Sequence, residues 1–187
     1  MKHSSSTTIS TILLSLLLLF LTAHFTGTSA VPNTQDFQDT CKLAADANPV
    51  INYDFCVLTF KSEPMSNNTD ARGLANIAAV ISFTHSNDVT YDIRDLLSKL
   101  PDPATKSCLE QCMSLYTSML NTLPNAMDGI NLKHDEVAKG LLQTTIEESQ
   151  KCEAGFSKVG VVSPLTQVNN NSVQLNSMAL TILGFAN

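Results

Sequence analysis

The cysteines of this chain, together with the helical periodicity around them, constrain its fold more than any other feature. All five follow an apolar N-terminal segment: Cys41, Cys56, Cys108, Cys112 and Cys152. Apolar residues recur at i, i+3, i+4 and i+7 over the same stretch, and no sustained alternation of apolar and polar residues interrupts them. The pattern predicts an all-α fold in which disulfides tie helices together.

Residues 1–30 are typical of a secretory signal peptide. Lys2 and His3 precede an apolar run over residues 11–22, and small residues follow at 28–30. About a dozen apolar residues are too few to cross a hydrocarbon core, which requires roughly 20. We therefore expect cleavage after Ala30 and no membrane association afterwards.

Cleavage would leave residues 31–187 as a single domain of 157 residues. A chain of that length forms one substantial hydrophobic core. Its 10 basic and 17 acidic residues give a net charge of −7 with histidine neutral. Nucleic acids and anionic membranes bind cationic surfaces, so the charge argues against both as partners.

The predicted secretory route assigns a use to the cysteines and to two short polar motifs. Disulfides are the default in exported proteins, and the odd cysteine count leaves at least one cysteine over. Asn-Asn-Thr at 67–69 and Asn-Asn-Ser at 170–172 fit the N-glycosylation motif. The predicted acceptors are Asn67 and Asn170, and so short a motif leaves the occupancy of each open.

Residues 31–62 predict a helical hairpin. One helix fits Thr34–Ala47, an Asn-Pro pair breaks it, and a second helix fits Tyr53–Lys61. Cys41 and Cys56 would then face each other across the hairpin. A disulfide closing this loop would contribute about 3 kcal/mol in the chain-entropy model.

Four longer helices are predicted over residues 69–187. A polar linker ends in a cap at Thr69 or Asp70, where the first of them begins. We expect that helix to kink or break near residues 86–90, where polar residues weaken its apolar stripe. The prolines of residues 101–103 should end it.

The remaining helices are predicted from one strong apolar stripe, which includes Cys112, Tyr116, Met119 and Leu123, and from the start signals of the two helices after it. The second long helix should begin at Thr105 and give way to a turn region over Asn125–His134, around Gly129. The third should begin at Asp135, and its predicted inward residues are Val137, Leu141, Thr144, Glu148 and Cys152. Ser163-Pro164 should start the fourth, with serine as its cap. Short turns between four helices favour an antiparallel up-down bundle after the hairpin.

The pairing of the later cysteines is open on these grounds. A bridge between Cys112 and Cys152 would join neighbouring helices and contribute about 4 kcal/mol in the same entropic model. Cys108 lies one helical turn before Cys112 on the same face, so either could reach Cys152. We favour a buried free thiol for Cys108 over an alternative or intermolecular bridge.

The sequence offers no constellation of catalytic, metal-binding or cofactor-binding residues. His85 and His134, the two histidines after residue 30, lack the partner at i+4 that a helical zinc site needs. Glu147 and Glu148 would point about 100° apart on a helix, unlike a glycosidase pair. We expect a protein that presents a rigid surface to another protein. A storage or ligand-carrying bundle, or a redox enzyme acting through Cys108, are the alternatives.

Four stretches, taken in order, resemble the plant invertase and pectin methylesterase inhibitors. They are TCKLAADANPVINYDFCVLTF, LEQCMSLYTSML, KCEAGF and VVSPLTQVNNNSVQLNSMALTIL. The resemblance covers nearly the whole chain after the signal and is greatest to a subgroup called putative invertase inhibitors, which includes a pollen allergen. It implies a four-helix bundle with an N-terminal helical hairpin, disulfides Cys41–Cys56 and Cys112–Cys152, and no enzymatic activity.

The resemblance also implies a protein target. Members form stoichiometric complexes with carbohydrate-active enzymes and block the substrate cleft. We expect a secreted protein of the cell wall or apoplast rather than the vacuole, monomeric before it meets its target, with no cofactor.

The target itself depends on the subtype motifs, and neither is intact. Invertase inhibitors carry Pro-Lys-Phe where alignment on Cys152 places Asp135-Glu136-Val137 here. Pectin methylesterase inhibitors often show Ser-Ala-Ala-Leu-Thr where this chain has Gln-Thr-Thr-Ile-Glu. Because the basic and aromatic residues of the invertase motif are both missing, we expect pectin methylesterase as the target and acid invertase as the alternative. The expected partner contacts are His134, Asp135 and Glu136.

Overall fold

The computed structural model describes residues 36–186, so the predicted signal peptide and residues 31–35 lie outside the described part of the chain. Within it the backbone forms six α-helices and a short 3₁₀ helix, and no strand. The elements in chain order are α1 (Phe37–Ala47), α2 (Tyr53–Lys61), the 3₁₀ helix (Pro64–Asn68), α3 (Ala71–Ser98), α4 (Pro103–Asn131), α5 (Asp135–Lys158) and α6 (Thr166–Leu183).

The four long helices form an antiparallel up-down bundle. Helices α3 and α5 each pack on both α4 and α6, and the short turns between them reverse the chain each time. The hairpin of α1 and α2 packs against the bundle, with α1 lying on α6. The predicted all-α fold, a four-helix bundle with an N-terminal hairpin and two disulfides, is confirmed.

The disulfides join the helices that the resemblance implies. Cys41 pairs with Cys56 at a Cα–Cα distance of 5.7 Å, and Cys112 pairs with Cys152 at 4.8 Å. Cys108 is free and buried. Its Cα lies one helical turn before that of Cys112, about 6 Å away along the α4 axis. Cys108 could therefore reach Cys152 only if the backbone shifted.

The hairpin is defined by two side-chain caps and one aromatic contact. Asp36 accepts from Gln38 N at 3.0 Å, so α1 begins at Phe37 rather than at the predicted Thr34. Helix α2 has the predicted bounds because Asn52 caps it. The Phe37 ring meets that of Phe60 edge to face, with centroids 6.3 Å apart, and closes the open end of the hairpin.

Helix α3 is continuous from Ala71 to Ser98, so the predicted break near residues 86–90 is wrong. The polar residues there bond to their own helix: Ser86 Oγ donates to the Ser82 carbonyl at 2.8 Å, and Thr90 Oγ1 donates to that of Asn87 at 2.8 Å. The cap is Asp70, which accepts from Gly73 N at 2.9 Å. Side-chain hydrogen bonds to the α3 backbone, together with burial, outweigh the weak helix propensity of these polar residues.

Helix α4 also runs further than the sequence predicts. It begins at Pro103, two residues before Thr105, because the Asp102 side chain caps it. It continues through most of Asn125–His134, so the predicted turn region there is wrong except for its last three residues. A Cβ at Gly129 would lie 3.1 Å from that of Ala138, so this glycine permits close packing of α4 on α5 rather than a turn.

Helices α5 and α6 differ from the prediction in rotation and in start. Helix α5 begins at Asp135 as predicted, but Val137 is 61% exposed and Thr144 is also exposed, whereas Glu148 and Cys152 are buried. The buried face is therefore rotated by about one residue: Ala138, Leu142, Thr145, Ser149, Cys152 and Phe156. Helix α6 begins after Leu165 rather than at Pro164, because Ser163 Oγ accepts from Leu165 N in a preceding turn.

A set of hydrogen-bonded polar side chains, which we call the polar layer, crosses the core of the bundle. Its members come from all four long helices: Ser82, Tyr116, Ser149, Glu153, Asn169, Ser172 and Asn176. Ser82 Oγ donates to Asn176 Oδ1 at 2.8 Å, and the hydroxyls of Ser149 and Ser172 lie 2.8 Å apart. These bonds attach α6 to α3 and to α5.

The second half of the polar layer is a chain of bonds starting at a buried tyrosine. Tyr116 OH donates to Asn169 Oδ1 at 2.8 Å, and Asn169 Nδ2 donates to Glu153 Oε2 at 2.7 Å. Burial raises the pKa of Tyr116 to about 12. Burial also raises the pKa of Glu153, but bonds from Thr166, Asn169 and Ser163 outweigh it and leave that pKa lowered.

Candidate functional site

The described residues hold no group of three or more side chains that could bind a metal ion. Within residues 36–186, no helix is both long and apolar enough to span a bilayer. The centre of the bundle is filled by fully buried side chains such as Tyr116, Phe156, Met119 and Met178. Three grooves in the described part of the chain open to solvent and have volumes of 300 to 380 Å³. A protein surface is therefore the candidate site, and a ligand-filled core is disfavoured.

The predicted partner contacts lie where α4 turns into α5. We call Leu132, Lys133, His134, Glu136 and Val137 the α4–α5 turn surface. Leu132 is 65% exposed and Val137 61%, and the three polar side chains are also exposed. Lys133 adopts a left-handed conformation with φ of 60°. Two exposed apolar side chains among mixed charges form a patch of the kind that binds protein.

The backbone of this turn is fixed by hydrogen bonds from its amides to carbonyls near the end of α4. His134 N donates to the Gly129 carbonyl at 2.8 Å, while the His134 side chain makes no capping bond. The imidazole is thus free to meet a partner. A rigid turn with free side chains lowers the entropic cost of binding.

Asp135 already has a partner within the protein, because Arg72 of α3 binds its carboxylate, which is 27% exposed. Arg72 Nη1 lies 2.6 Å from Asp135 Oδ1, and Nη2 lies 2.9 Å from Oδ2. The same Nη1 donates to the Ile130 carbonyl at 3.0 Å. This bidentate arrangement, the Arg72 clamp, joins the N-termini of α3 and α5 to the end of α4.

The clamp shifts both ionisation equilibria. The hydrogen bond from Arg72 holds the pKa of Asp135 below its usual value, and the bond to Asp135 raises the pKa of Arg72. Both groups therefore remain charged through the physiological range. The pair is 63 residues apart in sequence and no local pattern marks it, so the sequence does not reveal Arg72 as the partner of Asp135.

A second surface, the hairpin groove, lies between α2, α3 and α6. Its volume is 380 Å³, and its apolar residues are Phe55, Val80, Ile81 and Leu175. Glu63 and Asp88 give it an acidic rim. His85 also lines it, but its Nε2 lies 2.9 Å from the Val168 carbonyl and is therefore engaged within the fold.

The other predicted site residues lie apart from both surfaces. Cys108 is 5% exposed, so its thiol is poorly placed for redox exchange with a protein partner. Asn67 is exposed on the 3₁₀ helix. Asn170 is exposed on α6 and lines a groove between α5 and α6. None of the three contacts the Arg72 clamp in the hydrogen-bond network.

Comparison with known families gives one match that spans most of the chain. The model of the plant invertase/pectin methylesterase inhibitor family matches residues 35–182. A "Putative invertase inhibitor" of Platanus acerifolia is 34% identical over 82% of this chain and 86% of its own length. "Pectinesterase inhibitor 8" of Oryza sativa subsp. japonica is 28% identical over 80% of this chain and 79% of its own length.

Solved structures share the fold. A pectin methylesterase inhibitor from Arabidopsis, in a mutant form, superposes with a TM-score of 0.62 at 17% identity, over 75% of this chain and 95% of its own. A second structure of a pectin methylesterase inhibitor from Arabidopsis thaliana gives a TM-score of 0.57 at 17% identity, over 82% of this chain and 99% of its own. At that identity the likeness extends to the bundle and not to the target.

Proposed function

Because the chain belongs to the plant invertase/pectin methylesterase inhibitor family, we propose that it is a secreted inhibitor of pectin methylesterase that covers the substrate cleft of its target in a stoichiometric complex. The family consists of inhibitor proteins, so the chain is an enzyme inhibitor and not itself an enzyme. Pectin methylesterase as the target, the apoplast as the location and a monomer before binding are parts of the proposal.

The observation that carries the choice of target is the Arg72 clamp. The position that holds Pro-Lys-Phe in invertase inhibitors holds Asp135-Glu136-Val137 here, and Arg72 binds the carboxylate of the first of them. A basic and aromatic plug cannot form from an internally paired carboxylate, an exposed glutamate and a valine. This argues against insertion into an acidic cleft and favours contact through a broad face.

Charge supports the same choice. Residues 31–187 carry a net charge of −7, which favours targets that present a cationic surface. Within the α4–α5 turn surface, the Glu136 side chain is 89% exposed and pairs with Lys139 at 2.9 Å. An exposed carboxylate of this kind steers association rather than holding the complex together.

The names of related proteins favour a second target. Two relatives from Platanus, 34% and 33% identical to this chain, are named as invertase inhibitors. Acid invertase is therefore the alternative, and the same titration distinguishes the two enzymes.

The test is a titration of both enzymes with protein collected from the medium of secreting plant cells. At apoplastic pH we expect pectin methylesterase activity to fall linearly to an equivalence point at one inhibitor per enzyme, and acid invertase to be unaffected. Inhibition of invertase alone would show that acid invertase, and not pectin methylesterase, is the target. Inhibition of neither, across isoforms from one tissue, would overturn the proposal.

A matched pair of variants then tests the surface. Glu136→Lys reverses an exposed charge on the α4–α5 turn surface. Glu147→Lys reverses one on the same helix, where Glu147 likewise has a helical lysine partner, Lys151, at 3.7 Å. We expect the first to weaken inhibition about tenfold at low salt, equivalent to about 1.4 kcal/mol, and the second to leave it unchanged. Equal effects would show that the turn surface is not the contact.

A further inference from the structure

We infer that Asn67 carries an N-linked oligosaccharide and that folding withholds the Asn170 motif from the same modification. The inference rests on the secretory route of the proposed function. Both motifs satisfy the sequence rule, so the sequence alone does not separate them. The structure separates them by the state of the backbone and of the third residue, whose hydroxyl the transferase must engage in an extended segment.

The Asn67 motif stays open after folding. Asn67 and Asn68 are exposed at the end of the five-residue 3₁₀ helix, and Thr69 follows in an extended conformation with φ of −137° and ψ of 163°. The neighbouring Met65 is 72% exposed, and only the buried Ser66 anchors the 3₁₀ helix, so both asparagine side chains remain open to solvent. Thr69 is half-buried, with its hydroxyl against Gly73 in the first turn of α3, but the motif is already extended and no helix has to unwind to present it.

The Asn170 motif is enclosed on its hydroxyl side. Asn170 itself is exposed, but Ser172 is fully buried, and its hydroxyl lies 2.8 Å from that of Ser149 in the polar layer. The middle residue, Asn171, accepts a bond from Gln167 Nε2 at 2.9 Å along the helix. The whole motif lies inside α6, so its modification requires α6 to be undocked and unwound.

Whether Asn170 is glycosylated therefore depends on which is faster, glycan transfer or the docking of α6. Helices form in about 0.1–1 μs, and helical bundles close in microseconds to milliseconds. Helix α6 is the last of the four long helices to emerge, so α3, α4 and α5 precede it and can receive it at once. Asn170 has only this short interval, whereas Asn67 remains available throughout.

The experiment uses the full chain expressed in plant cells, with peptide mass spectrometry of the protein from the medium. Enzymatic deglycosylation in ¹⁸O water marks each asparagine that carried a glycan. We expect the mark on Asn67 in most molecules and on Asn170 in few. On gels, Asn67→Gln should abolish the glycan shift and Asn170→Gln should leave it. The control Asn68→Gln preserves the motif and should keep the shift.

A second arm tests whether folding is the cause. Dithiothreitol added during synthesis keeps both disulfides open and delays closure of the bundle. Asn170 should then gain a glycan in the intracellular pool, at least fivefold above untreated cells. Asn170 that stays unmodified under this treatment would overturn the inference.

The N-terminal peptide separates this inference from the secretory route on which it rests. Protein with the signal removed but Asn67 unmodified would overturn the assignment of the glycan and leave the proposed function standing. Substantial glycan on Asn170 in untreated, secreted protein would do the same. Protein that retains residues 1–30 and carries no glycan would overturn the secretory route, and the inference with it.

Discussion

Replacement of Tyr116 by phenylalanine measures what the polar layer contributes to the bundle. The Tyr116 side chain is fully buried, and its hydroxyl donates to Asn169 Oδ1 at 2.8 Å. Asn169 is 1% exposed, and its amide nitrogen is already committed to Glu153. In the Tyr116→Phe variant the Asn169 oxygen therefore stays buried without a donor, because it cannot turn toward solvent.

The magnitude follows from these two losses. A buried hydrogen bond contributes about 0.5–1.5 kcal/mol net, and an unpaired buried acceptor costs about 1–3 kcal/mol in desolvation. The lost hydrogen bond and the unpaired acceptor are partly the same energy, so the two costs are not added. We expect the free energy of unfolding to fall by about 2 kcal/mol. For a domain of this size that corresponds to a decrease of about 4–8 °C in the melting temperature.

The pH dependence provides a second signature. The pKa of Tyr116 is raised to about 12 in the folded protein, whereas an unfolded tyrosine ionises at about 10. Its contribution is therefore complete below pH 10 and is lost as pH rises toward 12, since only the unfolded chain releases the proton in that interval. The Tyr116→Phe variant lacks this loss, so the stability difference between the two proteins should narrow above pH 10.

Urea unfolding followed by circular dichroism measures both effects, with Tyr91→Phe as the control. Tyr91 is 58% exposed, and its ring, which Arg94 covers at 5.0 Å, remains in the control variant. We expect the control to change stability by less than about 0.5 kcal/mol. A Tyr116→Phe cost below that level, or equal costs for both variants, would refute the reasoning about the polar layer.

Two further predictions concern the hairpin and the clamp. Replacing Cys41 and Cys56 together by alanine should lower the free energy of unfolding by up to about 3 kcal/mol. Amide exchange should accelerate in α1 and α2 but not in α4, because the bridge joins α1 to α2 and does not involve α4; uniform acceleration would contradict this. Arg72→Gln should lower the melting temperature near neutral pH. Because the pKa of Asp135 is depressed, the clamp contributes above the unfolded pKa of that carboxyl and is lost as pH falls through the folded one. The difference from wild type should therefore shrink in acid to what the pH-independent bond from Arg72 to the Ile130 carbonyl contributes, and a constant difference would argue against the ion pair.

Local features were predictable from the sequence. The stripe through Cys112, Tyr116, Met119 and Leu123 is buried along its whole length, as the helical spacing predicts. Residues three or four apart lie on the same face of a helix, so the spacing of apolar residues in the sequence predicts the buried stripe directly.

The errors came from contacts that sequence neighbours do not encode. Ser86 weakens a helix in isolation, yet in α3 it is buried and bonds to its own backbone. Gly129 is typical of a turn, but close packing on Ala138 requires it inside α4. The Arg72 clamp joins residues 63 positions apart, and the sequence around one of them gives no indication of the other. Tertiary packing decided all three.

The polar layer also bears on how such an inhibitor changes its target over evolutionary time. Hydrogen bonds from Ser82, Tyr116 and Ser149 define the register of α6 from within, so slipping it by one turn would break them all. Solvent-facing residues are then not needed to align the helices. Exposed positions such as Glu136 and Val137 can drift or be exchanged while the scaffold keeps its geometry. A scaffold with an internally encoded register can serve inhibitors of two unrelated enzymes, which is the range that the family name covers.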